Sequence, residues 1–450
     1  MSSASSAIES DSSESNHGEN FALAELFNTD ATTLQGRVKP FSDFYRDTVE
    51  KGMVHYSREI VSAVSNRTRV RAADGTIREM IMLGSNNYLG LTTHPHVIGR
   101  IKDALDTFGA GVGGPPLLGG MTELHRLLEK RLSRMKGAED TMLFGSGYQA
   151  NLGWINTLIR ADDVLLYDAY NHASLYDGIA LTAAKTKFSA IRFAHNDMDH
   201  LERLLQRYRK AEDRPNRQIF VAAEGVYSMD GDLVPLPRIS ALCATYGAVL
   251  MVDDAHGTGV MGRHGGGVGE HFGMKDGVDI WVGSFSKAFG MTGGFLSASR
   301  EVIDYLRFCS RAYIFSAHLP ITTVAAVLGG LEVLEREPER IVRLHENARY
   351  LEKALSGLGF KTFREAAIIP VHMPPDANIR EVCKLFDDEG IFLNSIEYPA
   401  VSKDGQRLRL SVMATHTPQD LDEAIAAFER VGRTVGILAG SSWRGPQRAG

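Results

Sequence analysis

The chain has 450 residues, of which 44% are apolar, 23% are charged and 45 are glycine, and its formal net charge is −6. That balance excludes a disordered chain and gives enough length for two or three domains with full cores. The lack of a basic excess excludes a domain-wide nucleic-acid surface, and three distant cysteines (Cys243, Cys309, Cys383) exclude a disulfide scaffold and a structural zinc site.

Met1–Asn20 holds eight serines and four acidic residues but no Lys or Arg. Residues 1–36 therefore read as a disordered tail, not as a secretory or organellar presequence, and the expected location is cytoplasmic. In the N-terminal segment 37–83, Phe41–Ser62 has a mixed helical pattern. Val70–Leu83 alternates like a hairpin around Asp74-Gly75. Residues 84–334 read as one large domain. His96–Phe108 is a predicted helix. Thr122–Lys136 is an amphipathic one, with Leu124, Leu127, Leu128, Leu132 and Met135 on its apolar face.

Short apolar runs then recur at Thr141–Phe144, Val164–Tyr167, Ala190–Phe193, Ile219–Ala223, Val249–Val252 and Ile280–Val282, with helix-like stretches between most of them. Such alternation specifies an α/β fold with a mainly parallel sheet. No uncharged apolar run of about 18 residues occurs, so no membrane span is expected. Leu319–Leu331 reads as a buried helix. Residues 335–435 change texture, with strands near Ile368–His372, Ile391–Ser395 and Leu408–Val412 and a helix near Asn378–Glu389. They form a smaller C-terminal α+β domain, followed by a flexible tail, 436–450.

Glycines cluster in Gly109–Gly120, Gly257–Gly273 and Gly283–Gly294. The first cluster matches G-x-G-x-x-G, yet it follows a predicted helix and runs into Pro115-Pro116. A dinucleotide fingerprint follows a strand and opens a helix. No G-x-x-x-x-G-K-[ST] loop and no G-x-S-x-G elbow is present. Asp253, Asp254 and His256 lack the further spaced ligands of a defined metal site, so no metal is assigned.

Three strand ends carry chemistry, because open parallel sheets bind ligands beyond the carboxyl ends of their strands. Met142–Phe144 ends in Gly145-Ser-Gly147-Tyr148 before a helix, a ready phosphate site. Val249–Val252 ends in Asp253-Asp-Ala-His256. Ile280–Val282 ends in Ser284-Phe-Ser286-Lys287, and a lysine desolvated in a cleft loses its proton and forms an imine. Together these parts fit pyridoxal phosphate. Lys287 would hold its aldehyde, and Gly147, Tyr148, Ser284 and Ser286 lie where its phosphate would sit. Asp253 would keep its ring nitrogen cationic. His256 and Ser228 would bind its phenolic oxygen, and His172 would lie on the ring.

The ordered motifs G-S-G-Y, N-H-A-S, E-G-V-Y-S-M-D-G-D, D-D-A-H-G-T-G and S-F-S-K-A-F-G closely resemble those of the α-oxoamine synthases, fold-type I pyridoxal-phosphate acyltransferases, over roughly Phe41–Val431. The resemblance implies catalytic roles for Lys287, His172, Asp253 and His256. It implies that Arg409 grips the amino-acid carboxylate, with Asn86 beside it. It also implies a homodimer in which Ser316 reaches the neighbouring subunit's phosphate. The implied reaction condenses a small amino acid (serine, alanine or glycine) with an acyl-CoA and releases CoA and carbon dioxide.

Within the family, S-F-S-K and V-Y-S-M-D-G-D look most like serine palmitoyltransferases, whereas D-D-A-H-G-T-G-V is similar to 8-amino-7-oxononanoate synthases. Glu397 stands where the latter tend to have Arg, and Pro115-Pro116 departs from the family pattern near the expected acyl channel. Glycine C-acetyltransferase is a further alternative within the family. A pyridoxal-phosphate aminotransferase and a non-catalytic regulatory subunit are alternatives outside it.

Overall fold

The computed structural model describes residues 30–439 except 54–55, 73, 210–216, 275 and 399. The serine-rich stretch of the predicted N-terminal tail up to residue 29, and residues 440–450 of the predicted C-terminal tail, lie outside the described residues. Helix α1 (Leu34–Glu50) starts earlier than the sequence pattern suggests, within the span expected as tail. Thr33 caps it: its Oγ1 accepts the Gly36 N–H at 3.1 Å, which satisfies one of the free donors of the first turn. Then come β1 (Glu59–Ile60), β2 (Arg67–Arg71) and β3 (Ile77–Met82). β2 and β3 form the predicted antiparallel hairpin, with Arg71 opposite Ile77. Gly75 takes φ +82°, the left-handed conformation such a turn requires.

Helices α2 (Pro95–Phe108) and α3 (Glu123–Lys136) lead into the main sheet. Gly109 ends α2 with φ +74°, so the first glycine cluster opens as a helix stop and not as a strand-to-helix phosphate turn. The sheet is then wound from β4 (Asp140–Phe144), α4 (Gly147–Leu158), β5 (Val164–Asp168), α5 (Ala173–Ala183), β6 (Ser189–Phe193), α6 (Met198–Arg209), β7 (Ile219–Glu224), α7 (Leu236–Tyr246), β8 (Val249–Asp253), α8 (Val268–His271), β9 (Ile280–Ser284) and β10 (Gly294–Ala298). The strand order is β4-β10-β9-β8-β7-β5-β6. The pairs from β9 through β6 are parallel, and β10 runs antiparallel to both of its neighbours. All five residues of β10 are buried, and this strand has no counterpart among the predicted ones. Its five residues, Gly294-Phe-Leu-Ser-Ala298, are too short a run after a glycine pair to carry a strand pattern of their own. What places it is the loop after β9, which turns the chain back beside that strand.

Helices α9 (Arg300–Cys309), α10 (Arg311–Ile314) and α11 (Ile321–Arg336) complete this part of the chain. Twelve of the sixteen residues of α11 are buried, as its apolar run predicts. In α3 the buried face is displaced from the predicted one. Leu128 and Leu132 are buried together with His125, Glu129 and Lys136, while Leu127 is 41% exposed. Partners elsewhere in the fold neutralise these polar side chains, and helical periodicity alone does not reveal them.

The C-terminal part holds α12 (Glu339–Leu358), β11 (Ile368–His372), α13 (Ile379–Asp388), β12 (Ile391–Phe392), β13 (Asn394–Ile396), β14 (Arg407–Ser411) and α14 (Pro418–Thr434). The run expected as one strand at Ile391–Ser395 splits at Leu393. β12 pairs in parallel with β3, whereas β13 pairs antiparallel with β14. The N-terminal hairpin thus joins the C-terminal core, where Ile81 and Leu83 pack with Leu351, Phe386 and Phe428. Among the described residues, no helix is long and apolar enough to cross a membrane.

Candidate active site

The carboxyl ends of β4, β7, β8 and β9 open onto one cavity of about 280 Å³, which Arg409 of β14 also lines. Asn86, Gly147, Tyr148, His172, Ser228, Asp253, His256, Ser284, Ser286, Lys287 and Arg409 all line it. Ser316 does not. It is half-buried, and its Oγ accepts from Gln149 Nε2 at 3.4 Å.

Each side chain is placed by an element boundary. β8 ends at Asp253, whose Oδ2 accepts from Asn151 Nδ2 at 2.7 Å and whose Oδ1 accepts the Ala255 N–H at 3.1 Å. Burial pushes the Asp253 carboxyl up; the Asn151 hydrogen bond and the cationic groups around it pull the other way. β9 ends at Ser284, and the following turn carries Lys287. Burial lowers the Lys287 ammonium, and the nearby Arg409 guanidinium lowers it further, against Asp253 and Glu224. A lysine so placed is closer to a free amine, the nucleophilic and basic form.

His256 is buried, with Nδ1 2.9 Å from the Tyr88 hydroxyl. Burial and the surrounding cations Lys287 and Arg409 hold it well below the usual histidine range, so it is a neutral imidazole. His172 caps α5, where its Nδ1 accepts the Ser174 N–H at 3.2 Å; it faces the open side of the cavity. Arg409 stands on β14. Its Nε donates to the Ser228 carbonyl at 2.6 Å, and its Nη1 donates to Asn86 Oδ1 at 3.1 Å. The guanidinium is thus held from two sides and only 6% exposed.

Pyridoxal phosphate fits this donor set. A Cβ on Gly147 would come within 3.2 Å of Ser284 Cβ, so the glycine keeps a gap between the start of α4 and the end of β9. Ser146 caps α4 by accepting the Gln149 N–H at 3.1 Å, and the first-turn N–H groups and hydroxyls of Ser284 and Ser286 supply neutral donors for an anion. Burial makes the Asp253 carboxylate costly unless a cation faces it, and a pyridinium N–H is such a cation. Lys287 Nζ donates to Ser286 Oγ at 3.4 Å, so the amine lies within the same set.

The sequence pattern misses several residues here. Asn151 is a polar side chain on the otherwise apolar face of α4, a visible but weak signal. Glu224 sits inside a quoted motif, yet only the sheet register shows it beside Asp253. Burial and the Asp253 charge raise its carboxyl well above the usual range. Tyr88 lies in the same Asn-Asn-Tyr motif as Asn86, and its burial became visible only in the fold. Asp254, weighed above as a metal ligand, is instead fully buried against Lys136, with 2.6 Å between Nζ and Oδ2.

The chain matches the family model for aminotransferase class I and II over residues 78–428. It is 37% identical to a serine palmitoyltransferase of Sphingobacterium spiritivorum over 399 residues, 88% of this chain and 96% of that protein. It is 40% identical to an 8-amino-7-oxononanoate synthase of Symbiobacterium thermophilum, over 80% of this chain and 90% of that protein. A third relative, 4-hydroxy-2,2'-bipyrrole-5-methanol synthase PigH of Serratia, is 37% identical over 90% of this chain, which spans only 61% of that longer protein. Among solved structures, serine palmitoyltransferase of Sphingomonas wittichii superposes with a TM-score of 0.83 at 33% identity, covering 90% of this chain and all of that one. The S. paucimobilis serine palmitoyltransferase, solved with a bound PLP–myriocin aldimine, gives 0.82 at 31% identity, covering 90% of this chain and all of that one.

Proposed function

Because the chain belongs to the α-oxoamine synthases of the aminotransferase class I and II family, pyridoxal-phosphate-dependent acyltransferases, we propose that it condenses serine, alanine or glycine with an acyl-CoA, in the manner of serine palmitoyltransferase. The observation that supports this most is the meeting of Lys287, Asp253 and Arg409 in one cavity. When bound, the cofactor supplies an aldehyde to capture the amino group and a protonated ring to withdraw electrons from Cα.

The protein groups do the rest. Arg409, already oriented by Ser228 and Asn86, binds the substrate carboxylate and so sets which bond at Cα faces the electron sink. Lys287, an amine of lowered proton affinity, anchors the cofactor at rest and then takes the Cα proton as general base. Asp253 balances the positive charge of the ring nitrogen, and Asn151 fixes the Asp253 carboxylate plane. The Cα carbon attacks the thioester carbonyl, CoA leaves as the thiolate, and loss of carbon dioxide yields an aminoketone.

The substrate pair is tested by crossing the three amino acids with acyl-CoAs of graded chain length and measuring CoA release. Serine with a long acyl chain is expected to be fastest. Preference for alanine with a shorter, carboxylate-ended acyl chain would instead support the 8-amino-7-oxononanoate reading, which the 40% identical relative favours. No CoA release with any pair would overturn both. The chain is further assigned to a homodimer, with Ser316 facing the partner's cofactor phosphate. Light scattering that returns the 49.3 kDa mass of a single chain would refute that assignment.

A further inference from the structure

Beside the cavity, three charged groups stand in a row that the proposed chemistry does not use. His195 follows β6. Its Nδ1 lies 2.9 Å from Asp168 Oδ1, at the end of β5, and its Nε2 lies 2.8 Å from Asp232 Oδ2, in the loop after β7. Asp168 is fully buried, and the side chains of His195 and Asp232 are 21% and 16% exposed. With a carboxylate on each ring nitrogen, both nitrogens must donate, so the ring is an imidazolium. The Tyr170 ring stacks on it at 4.1 Å and the Tyr227 ring meets it edge-on at 4.4 Å.

Both carboxylates belong to loops that carry site residues. Asp168 also accepts the Tyr170 N–H at 2.8 Å, two residues before His172. Asp232 closes the tight loop that holds Ser228: its carbonyl accepts the Tyr227 N–H at 3.0 Å. Asn196 reinforces the link. Its backbone takes φ +51°, rare outside glycine, and so places its N–H 2.8 Å from Asp168 Oδ2 and its Nδ2 2.8 Å from Asp232 Oδ2. From the far side, Arg407 binds Asp230 and the Met229 carbonyl. The Ser228 carbonyl, between these two anchors, is the one that Arg409 holds.

We infer that His195 is a positioning residue whose positive charge clamps the His172 loop to the Ser228 loop and thereby sets the grip of Arg409 on the substrate carboxylate, an inference that rests on the function proposed above. The groups facing the imidazolium are Asp168 from β5, Tyr170 from the loop after it, and Tyr227 and Asp232 from the loop after β7. His200 of α6 accepts the adjacent Ala194 N–H, and Glu365 accepts the Leu233 N–H next to Asp232. Partial burial works against protonation of His195, but the hydrogen bonds to Asp168 and Asp232 outweigh it and raise the imidazolium to about 9. The clamp therefore holds at neutral pH and is released as pH rises through that value.

The test uses the cofactor-loaded wild-type protein, His195→Gln and Asp232→Asn. Amino-acid affinity is read from the change in cofactor absorbance across the alkaline range, and hydrogen exchange is read by mass spectrometry. Both variants are expected to retain cofactor but to bind the amino acid about tenfold or more weakly, the scale of effect a small misplacement produces. The wild type should lose affinity near pH 9, and this loss should be absent from His195→Gln. Exchange should quicken in 168–172 and 226–234 and stay unchanged in β8. Equal affinity with the same pH profile in His195→Gln, or unchanged exchange in the two loops, would overturn the inference. A wild-type protein that binds cofactor but no amino acid would refute the proposed function, and the loop exchange would then decide on the clamp alone. If His195→Gln does not fold, Asp232→Asn carries the comparison.

Discussion

Replacing Lys136 by Met should expose how the strand end that carries Asp253 is held. The next residue, Asp254, is fully buried, and its Oδ2 takes the Lys136 ammonium at 2.6 Å. Lys136 Nζ also donates to the Gly266 carbonyl at 2.9 Å. Backbone surrounds the carboxylate so closely that a Cβ on Gly257 or Gly267 would lie 1.9 or 1.7 Å from one of its oxygens. Lys136→Met therefore leaves a buried carboxylate without a counter-charge, at a cost of about 3–5 kcal/mol near neutral pH. Burial already holds the Asp254 carboxyl above its usual range, with Lys136 pulling it down. Without Lys136 it rises further, so the folded variant binds a proton that the unfolded chain does not. The stability of the variant then falls as pH rises above the unfolded value near 4, by up to about 1.4 kcal/mol per pH unit, and the deficit shrinks on acidification. Urea unfolding followed by tryptophan fluorescence reads this, with the Trp281 ring 5.1 Å from Nζ as a local reporter. Adding Asp254→Asn should restore most of the loss, because both partners are then uncharged. A deficit below about 1 kcal/mol, or one that does not change with pH, would refute the reasoning.

Arg409→Lys should raise the amino-acid KM by about 10- to 100-fold with a smaller change in kcat, since a point charge cannot keep the forked contacts to Ser228, Asn86 and the substrate; steady-state kinetics at saturating acyl-CoA check this. Asp253→Asn should keep the fold and lower kcat by about 10²-fold or more, measured beside a circular dichroism control, whereas unchanged kcat would remove Asp253 from the chemistry.

The parallel sheet and the strand ends were legible because buried strands read as short apolar runs and their exits carry motif residues. Lys287, Asp253 and His256 were found that way, Arg409 only through the family resemblance, and the fold brings all four into one cavity. What stayed hidden depends on partners distant in sequence. β10 is defined by the two strands on either side of it, and its own residues carry no strand pattern. The pairing of β3 with β12 joins residues more than 300 positions apart. Burial of Lys136 and Glu129 on α3 contradicts helical amphipathicity until Asp254 and Arg307 are seen opposite them. The purpose of the glycine cluster Gly257–Gly273 was also hidden. Gly257 and Gly267 in fact make space for the carboxylate of Asp254.

The most direct test of the central claim follows the fate of the substrate carboxylate. The protein is incubated with pyridoxal phosphate, an acyl-CoA and serine labelled at C1, and labelled carbon dioxide, free CoA and product mass are measured together. Equal amounts of carbon dioxide and CoA, with an aminoketone as product and no turnover by Lys287→Ala, are the expected result. Formation of a keto acid with the acyl-CoA left intact would contradict it.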